Sequence, residues 1–225
     1  MQPTLADMNI EMQDIGFLFD LDGVLLDSER SYTRIWADIE RDYPTGVKDF
    51  PRVIKGSTLT DILNRYFPDP EVSEAVARRC IEAEKDLEFH YMPGAEALLA
   101  ELKRRGIPRA LVTSSDEAKM ETLRKKLPDI FGWFNALVYG DMVTHGKPAP
   151  EPYLKGAELL GVAPKRCVVV EDALTGIASG HGAGCYVIGV SDTLGREAIT
   201  GKADIVVDTL DEISVDAVCE ILEKR

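Results

Sequence analysis

The chain has 225 residues, a formal net charge of −13, and 45% hydrophobic against 29% charged residues, the profile of a globular protein with ample core. Such acidity repels nucleic acid and anionic membranes, and no run approaches the ~18 apolar residues of a membrane span. Residues 1–14 lack the apolar stretch of a signal peptide, so a cytoplasmic protein without nucleic-acid or membrane partners is expected. Cys80, Cys167, Cys185 and Cys219 have no CxxC spacing and read as small buried hydrophobes.

The first apolar run, Ile15 to Phe19, is too short for a helix and predicts a buried central strand of a parallel sheet. It delivers Asp20 and Asp22, one residue apart, and then Gly23 for a sharp turn. Ser28-Glu29-Arg30 predicts a helix through about Tyr43, with Ser28 as N-cap and Tyr32, Ile35, Trp36 and Ile39 on one face. Pro44 to Gly56 reads as a loop. Thr58–Tyr66 and Glu71–Phe89 read as helices, parted by Phe67-Pro68-Asp69-Pro70. No strand pattern interrupts this stretch, which predicts a helical insertion over residues 29–91, with residues 1–28 and 92–225 forming the core.

From Met92-Pro93-Gly94 onward, strand and helix alternate. Helices are expected at Ala95–Arg105, Glu117–Lys126, Pro150–Leu160, Ala173–Ser179 and Ile213–Leu222. Strands are expected at Arg109–Thr113, Ala136–Tyr139, Cys167–Val170, Tyr186–Val190 and Ile205–Val207. That alternation implies right-handed crossovers and an α/β fold, a Rossmann-like doubly wound parallel sheet.

Four features fall at or just beyond strand ends, where open α/β sheets bind ligands. They are Asp20/Asp22, Thr113-Ser114, Lys147 in Gly146-Lys147-Pro148, and Glu171-Asp172. Each alone is an ordinary loop or cap. Converging on one sheet edge, they make a phosphoryl-transfer set. Asp20 would be the nucleophile, and Asp22 would protonate the leaving oxygen and then deprotonate water. Thr113 and the Ser114 amide would donate to phosphoryl oxygens, and Lys147 would offset transition-state charge. Two adjacent acids also call for a divalent cation. Mg²⁺ would take Asp20, the Asp22 main-chain carbonyl and Asp172, with Glu171 or Asp172 partly acting through water. Gly56 would let an insertion loop approach the phosphate.

At these residues the sequence resembles the haloacid dehalogenase-like hydrolases, in the subgroup of phosphatases and β-phosphoglucomutases. Phe19 to Glu29 resembles the first family motif almost unbroken, Val112-Thr113-Ser114 the second, Lys147-Pro148 the third and Val170-Glu171-Asp172 the fourth. The resemblance implies a helical cap inserted after the first motif and a Mg²⁺-dependent enzyme acting on small phosphorylated metabolites, foremost sugar phosphates; a monomer is expected. It implies substrate contacts from the cap, for which Tyr32, Lys55 and Gly56 are the candidates. A dehalogenase would lack Asp22. A β-phosphoglucomutase would carry an arginine where Leu59 stands and a histidine where Tyr32 stands, so hydrolysis is expected and mutase activity is the alternative. A receiver-like phospho-switch shares the acid, Thr/Ser and Lys set, but it is much shorter and lacks the helical insertion.

Overall fold

The computed structural model describes residues 14–55, 57–84 and 89–225. Gly56 therefore lies outside the described residues. At the centre stands a six-stranded, wholly parallel sheet in the order β3-β2-β1-β4-β5-β6. Its strands are β1 (Gly16–Phe19), β2 (Arg109–Val112), β3 (Ala136–Val138), β4 (Cys167–Glu171), β5 (Tyr186–Val190) and β6 (Ile205–Val207). β1 sits between β2 and β4, so the chain reverses its direction across the sheet there. The crevice beyond such a reversal is where α/β sheets bind ligands.

Side chains alternate across a strand, and β1 uses both faces. Phe17 and Phe19 enter one core with Leu111, Val168, Val170 and Ile188. That core is closed by α5 (Ala95–Arg104), α6 (Glu117–Lys126) and α10 (Val215–Glu223) through Leu99, Met120 and Val218. Leu18 enters the opposite core with Ala110, Val112 and Val169, closed by α7 (Glu151–Leu160) and α8 (Leu174–Gly182) through Tyr153 and Ile177. Burial on both faces explains why these strands read as continuous apolar runs rather than as alternating ones. Register then fixes the site. Phe19 is level with Leu111 and Val170, so β1, β2 and β4 end together.

Between β1 and α5 the described residues form four helices, α1 (Glu29–Asp42), α2 (Phe50–Val53), α3 (Leu59–Tyr66) and α4 (Pro70–Glu84). They enclose a third apolar cluster of their own, including Trp36, Ile39, Ile62, Phe67 and Val76. Phe50 is its hub, with edge-on ring contacts to Trp36, Tyr66 and Phe67 at centroid distances of 5.9, 5.1 and 5.9 Å. The outgoing and returning chains lie side by side. Asp27 N donates to His90 O and Met92 N to Leu25 O, each at 2.9 Å, around an antiparallel bridge between Leu26 and Tyr91.

Several local expectations differ from the structure, among them the helix expected over Glu71–Phe89: α4 is described to Glu84, and Phe89 lies outside any helix. The Pro44 to Gly56 loop holds the short helix α2, and a four-residue helix α9 (Arg196–Ile199) was not anticipated; neither is long enough to show a helical period. Ser28 does not cap α1 with its side chain, because its hydroxyl donates to the Asp22 carboxylate instead. An ionised oxygen is the stronger acceptor. Among the described residues, no helix is long and apolar enough to cross a membrane.

Candidate active site

Asp20 is the first residue beyond β1, and its amide still donates to Val170 O at 3.1 Å, which ties the loop to β4. From β4 come Glu171 and Asp172, from β2 Thr113, and from the loop before α7 Lys147. The Lys147 ammonium lies 2.6 Å from Asp20 Oδ1, 2.7 Å from Glu171 Oε1 and 3.0 Å from Val112 O, and the residue is 4% exposed. Burial works against its charge, but Asp20 and Glu171 outweigh that and move its pKa upward, so it stays an ammonium. Asp20 is pushed up to about 7, first by burial and further by the Glu171 and Asp22 charges, against the pull of Lys147.

Glu171 is held from inside the protein. Oε1 accepts from Lys147 and from the Tyr153 hydroxyl at 2.7 Å, and Oε2 accepts from the Asp172 and Ala173 amides at 3.0 and 3.1 Å. Burial and the Glu171 charge keep the Tyr153 phenol protonated, hence a donor. α8 must pass this carboxylate closely, since a Cβ at Gly176 would fall 1.7 Å from Oε1. Only a glycine fits there.

Asp22 is gripped separately. Its Oδ1 accepts from Ser28, while its Oδ2 accepts from Ser115 Oγ at 3.2 Å and from Lys119 Nζ at 2.5 Å. Lys119 reaches inward from the first turn of α6, which Asp116 caps by accepting from the Lys119 amide at 2.9 Å. Its ammonium also lies 4.0 Å from the centroid of the Tyr32 ring, on α1 of the insertion.

The acids Asp20, Glu171 and Asp172 can bring one oxygen each within 4.8 Å of one another. Three carboxylates against the Lys147 ammonium leave two negative charges, the charge of one divalent cation. All the donors are hard oxygens, which suit magnesium or calcium rather than a thiolate-loving metal. The surroundings also fit. The first turn passes Asp172 so tightly that a Cβ on Gly23 (φ 78°) would lie 2.1 Å from Asp172 Oδ2 and 2.6 Å from Thr193 Oγ1. That Thr193 hydroxyl is buried with no hydrogen-bond partner among the described residues, as expected of a group that a cation-bound water would satisfy. Glu171 has its acceptor sites filled, so it would serve an ion, directly or through a bound water, only by giving up one of these bonds.

A single cavity gathers these groups beneath the insertion. The sheet end contributes Asp20, Asp22, Thr113, Ser114, Lys119 and Asp172, and the insertion contributes Tyr32, Trp36, Lys55, Leu59 and Ile62. Every expected site residue within the described part therefore reaches the cavity except Lys147 and Glu171, which lie just behind Asp20. Residues 16–184 match the family model of the haloacid dehalogenase-like hydrolases. The chain belongs to that family. Hexitol phosphatase A of Escherichia coli is 36% identical over 208 residues, covering 89% of this chain and 93% of that protein. Fructose-1-phosphate phosphatase YqaB, also of Escherichia coli, is 33% identical over 187 residues, 78% of this chain and 95% of that one. A family IA haloacid dehalogenase-like hydrolase from Entamoeba histolytica has the same fold, with a TM-score of 0.79 at 25% identity over 94% of this chain and all of that one. This haloacid dehalogenase-like hydrolase is a phosphatase.

Sequence reasoning missed Lys119, Ser115, Ser28 and Tyr153 as parts of the hydrolase's site. One of them left a trace. Lys119 stands on the inward face of α6 beside Met120 and one turn before Leu123, where an apolar residue is the rule. The hydroxyls left none, because a serine near a helix start reads as a cap.

Proposed function

We propose that this phosphatase is Mg²⁺-dependent, hydrolyses small phosphorylated metabolites, foremost sugar phosphates, and works through an aspartyl-phosphate on Asp20. One observation carries the reading: a partly buried Asp20 faces the cavity with Lys147 at 2.6 Å behind it, while a second acid, Asp22, is separately anchored two residues on. An Asp20 oxygen would bond to phosphorus as the bond to the leaving oxygen breaks, and Asp22 would give that oxygen its proton. Water would then bond to phosphorus and release Asp20, with Asp22 taking the proton back. Thr113 and the Ser114 amide would hold the phosphoryl oxygens, and Lys147 would offset charge that builds in the transition state. Mg²⁺, bound by Asp20, Asp172 and the Asp22 main-chain carbonyl with Glu171 acting through water, would neutralise phosphoryl charge.

Residues 29–91 would act as a cap that shuts water out of the first step and selects the substrate, with the paired crossings at Leu26 and Tyr91 as its hinges. The relatives named for hexitol and fructose 1-phosphate support sugar phosphates as the class. In the cavity wall Leu59 stands where a phosphomutase of this family would carry an arginine, which favours release of phosphate over its return to a second site. The test is phosphate release from hexitol phosphates, hexose 1- and 6-phosphates, glycerol phosphate and pyrophosphate, with and without Mg²⁺. Asp20→Asn should lower kcat by about a thousandfold or more. Unchanged turnover in that variant overturns the reading. Conversion of β-glucose 1-phosphate to glucose 6-phosphate without phosphate release would replace it with the mutase.

A further inference from the structure

Lys119 has no role in the mechanism above, yet it is 5% exposed and its ammonium points into the cavity from core helix α6. It makes two contacts. One is the 2.5 Å ion pair with Asp22 Oδ2, and the other is the Tyr32 ring at 4.0 Å, carried by the insertion. A carboxylate offers about four acceptor sites. On Asp22, Lys119 and Ser115 fill both sites of Oδ2, while Ser28 takes one on Oδ1. Among the described residues, a single acceptor site on Oδ1 is left for a travelling proton. A buried ammonium is costly unless it is paired and hydrogen-bonded, so its place between an acid and an aromatic face is specific.

We propose that Lys119 is the positioning residue for Asp22: it fixes the carboxylate by Oδ2 so that proton exchange with the leaving oxygen and with water runs through Oδ1. Tyr32 completes the arrangement. Because it comes from the insertion, the ammonium is enclosed only when the insertion lies over the sheet, which ties the setting of Asp22 to closure. In the first step the proton leaves Asp22 Oδ1 for the departing alkoxide as the phosphorus–oxygen bond breaks. In the second it returns to Oδ1 from the attacking water. Lys119 keeps its own protons throughout.

The inference rests on Asp22 being the acid/base of an aspartyl-phosphate reaction, and it predicts a dependence on the leaving group. An alkoxide needs a well-placed proton, whereas p-nitrophenolate departs as a stable anion and does not. Lys119→Met, which keeps an unbranched stem and removes the ammonium, should lower kcat/KM for hexitol phosphate about 10- to 100-fold, on the scale of a misplaced catalytic group. In kcat/KM, which reports the steps up to formation of the aspartyl-phosphate and not its hydrolysis, the same variant should stay within about threefold of the parent on p-nitrophenyl phosphate. Lys119→Ala should recover part of its activity on hexitol phosphate when ethylammonium is added. Equal losses of kcat/KM on both substrates, or no loss on either, overturn the role of Lys119 while leaving the mechanism standing, provided Asp20→Asn is inactive in the same assay. If Asp20→Asn keeps its turnover, the mechanism fails and this inference fails with it.

Discussion

At the end of β1 a single carboxylate is asked to be charged while largely withdrawn from water. Asp20 is pushed up to about 7 by burial, although Lys147 sits 2.6 Å away. The unfolded chain would release that proton near 3.8, so between these values the folded protein holds a proton that the unfolded one has lost. The stability of the metal-free protein should therefore fall as pH rises from about 4 to about 7 on this account. Asp20→Asn removes that slope. In EDTA the variant should melt above the parent at about pH 8, by several degrees, with the gap closing near pH 4.5; 1 kcal/mol moves the midpoint by about 2–4 °C at this chain length. Circular dichroism melts at the two pH values check this, and a gap that does not change with pH would contradict it. The variant would gain stability while losing activity, the usual exchange at a strained catalytic position. Protons and Mg²⁺ would also compete for Asp20, so the apparent Mg²⁺ affinity should rise between about pH 6 and pH 8, measurable by titration calorimetry.

Among the elements, the insertion and the sheet are stabilised by different apolar clusters. Phe50, on a helix of only four residues, is the ring around which Trp36, Tyr66 and Phe67 pack. Replacing a buried phenylalanine by alanine costs about 3–5 kcal/mol. In Phe50→Ala that loss should fall on α1, α3 and α4 and leave β1, β2, β4 and β5 protected, because no sheet residue belongs to the cluster of Phe50. Hydrogen exchange should rise in the insertion only, and kcat/KM for sugar phosphates should drop as Tyr32 and Leu59 lose their fixed places. Exchange rising equally in the strands would mean the two parts unfold as one.

For the molecule as a whole, the sheet edge gathers the carboxylates of Asp20, Glu171 and Asp172, with Lys147 paired to the first two. A divalent cation that binds only the folded state adds RT ln(1 + [L]/Kd) to stability, about 2.7 kcal/mol at a hundredfold excess over Kd. Mg²⁺ should thus raise the melting midpoint by about 5–10 °C. Asp172→Ala should lose most of that shift, while Glu220→Ala, on the exposed side of α10, should retain it. Thermal melts with and without Mg²⁺ decide the matter. An equal shift in both variants would place the ion elsewhere.

The chain by itself determined the order of the strands in sequence, the helical stretch between the first two of them, and the acids, hydroxyl and lysine that stand beyond the strand ends. These were legible because each is written locally: an apolar run, a missing strand period, a polar residue following a strand. The strand order across the sheet, and with it the common level of Phe19, Leu111 and Val170, came only from tertiary pairing. So did the partners of the acids. Glu171 reads as a helix-start acid, but the fold turns it into the anchor of Lys147 and Tyr153, and Ser28 reads as a cap but serves Asp22. Lys119 is the clearest case. Its meaning depends on Asp22, 97 residues away, and on Tyr32 from the insertion. A contact between elements so far apart along the chain leaves no period or spacing to read, because the sequence constrains neighbours along a strand or helix, while packing alone chooses which side chains meet across the gap.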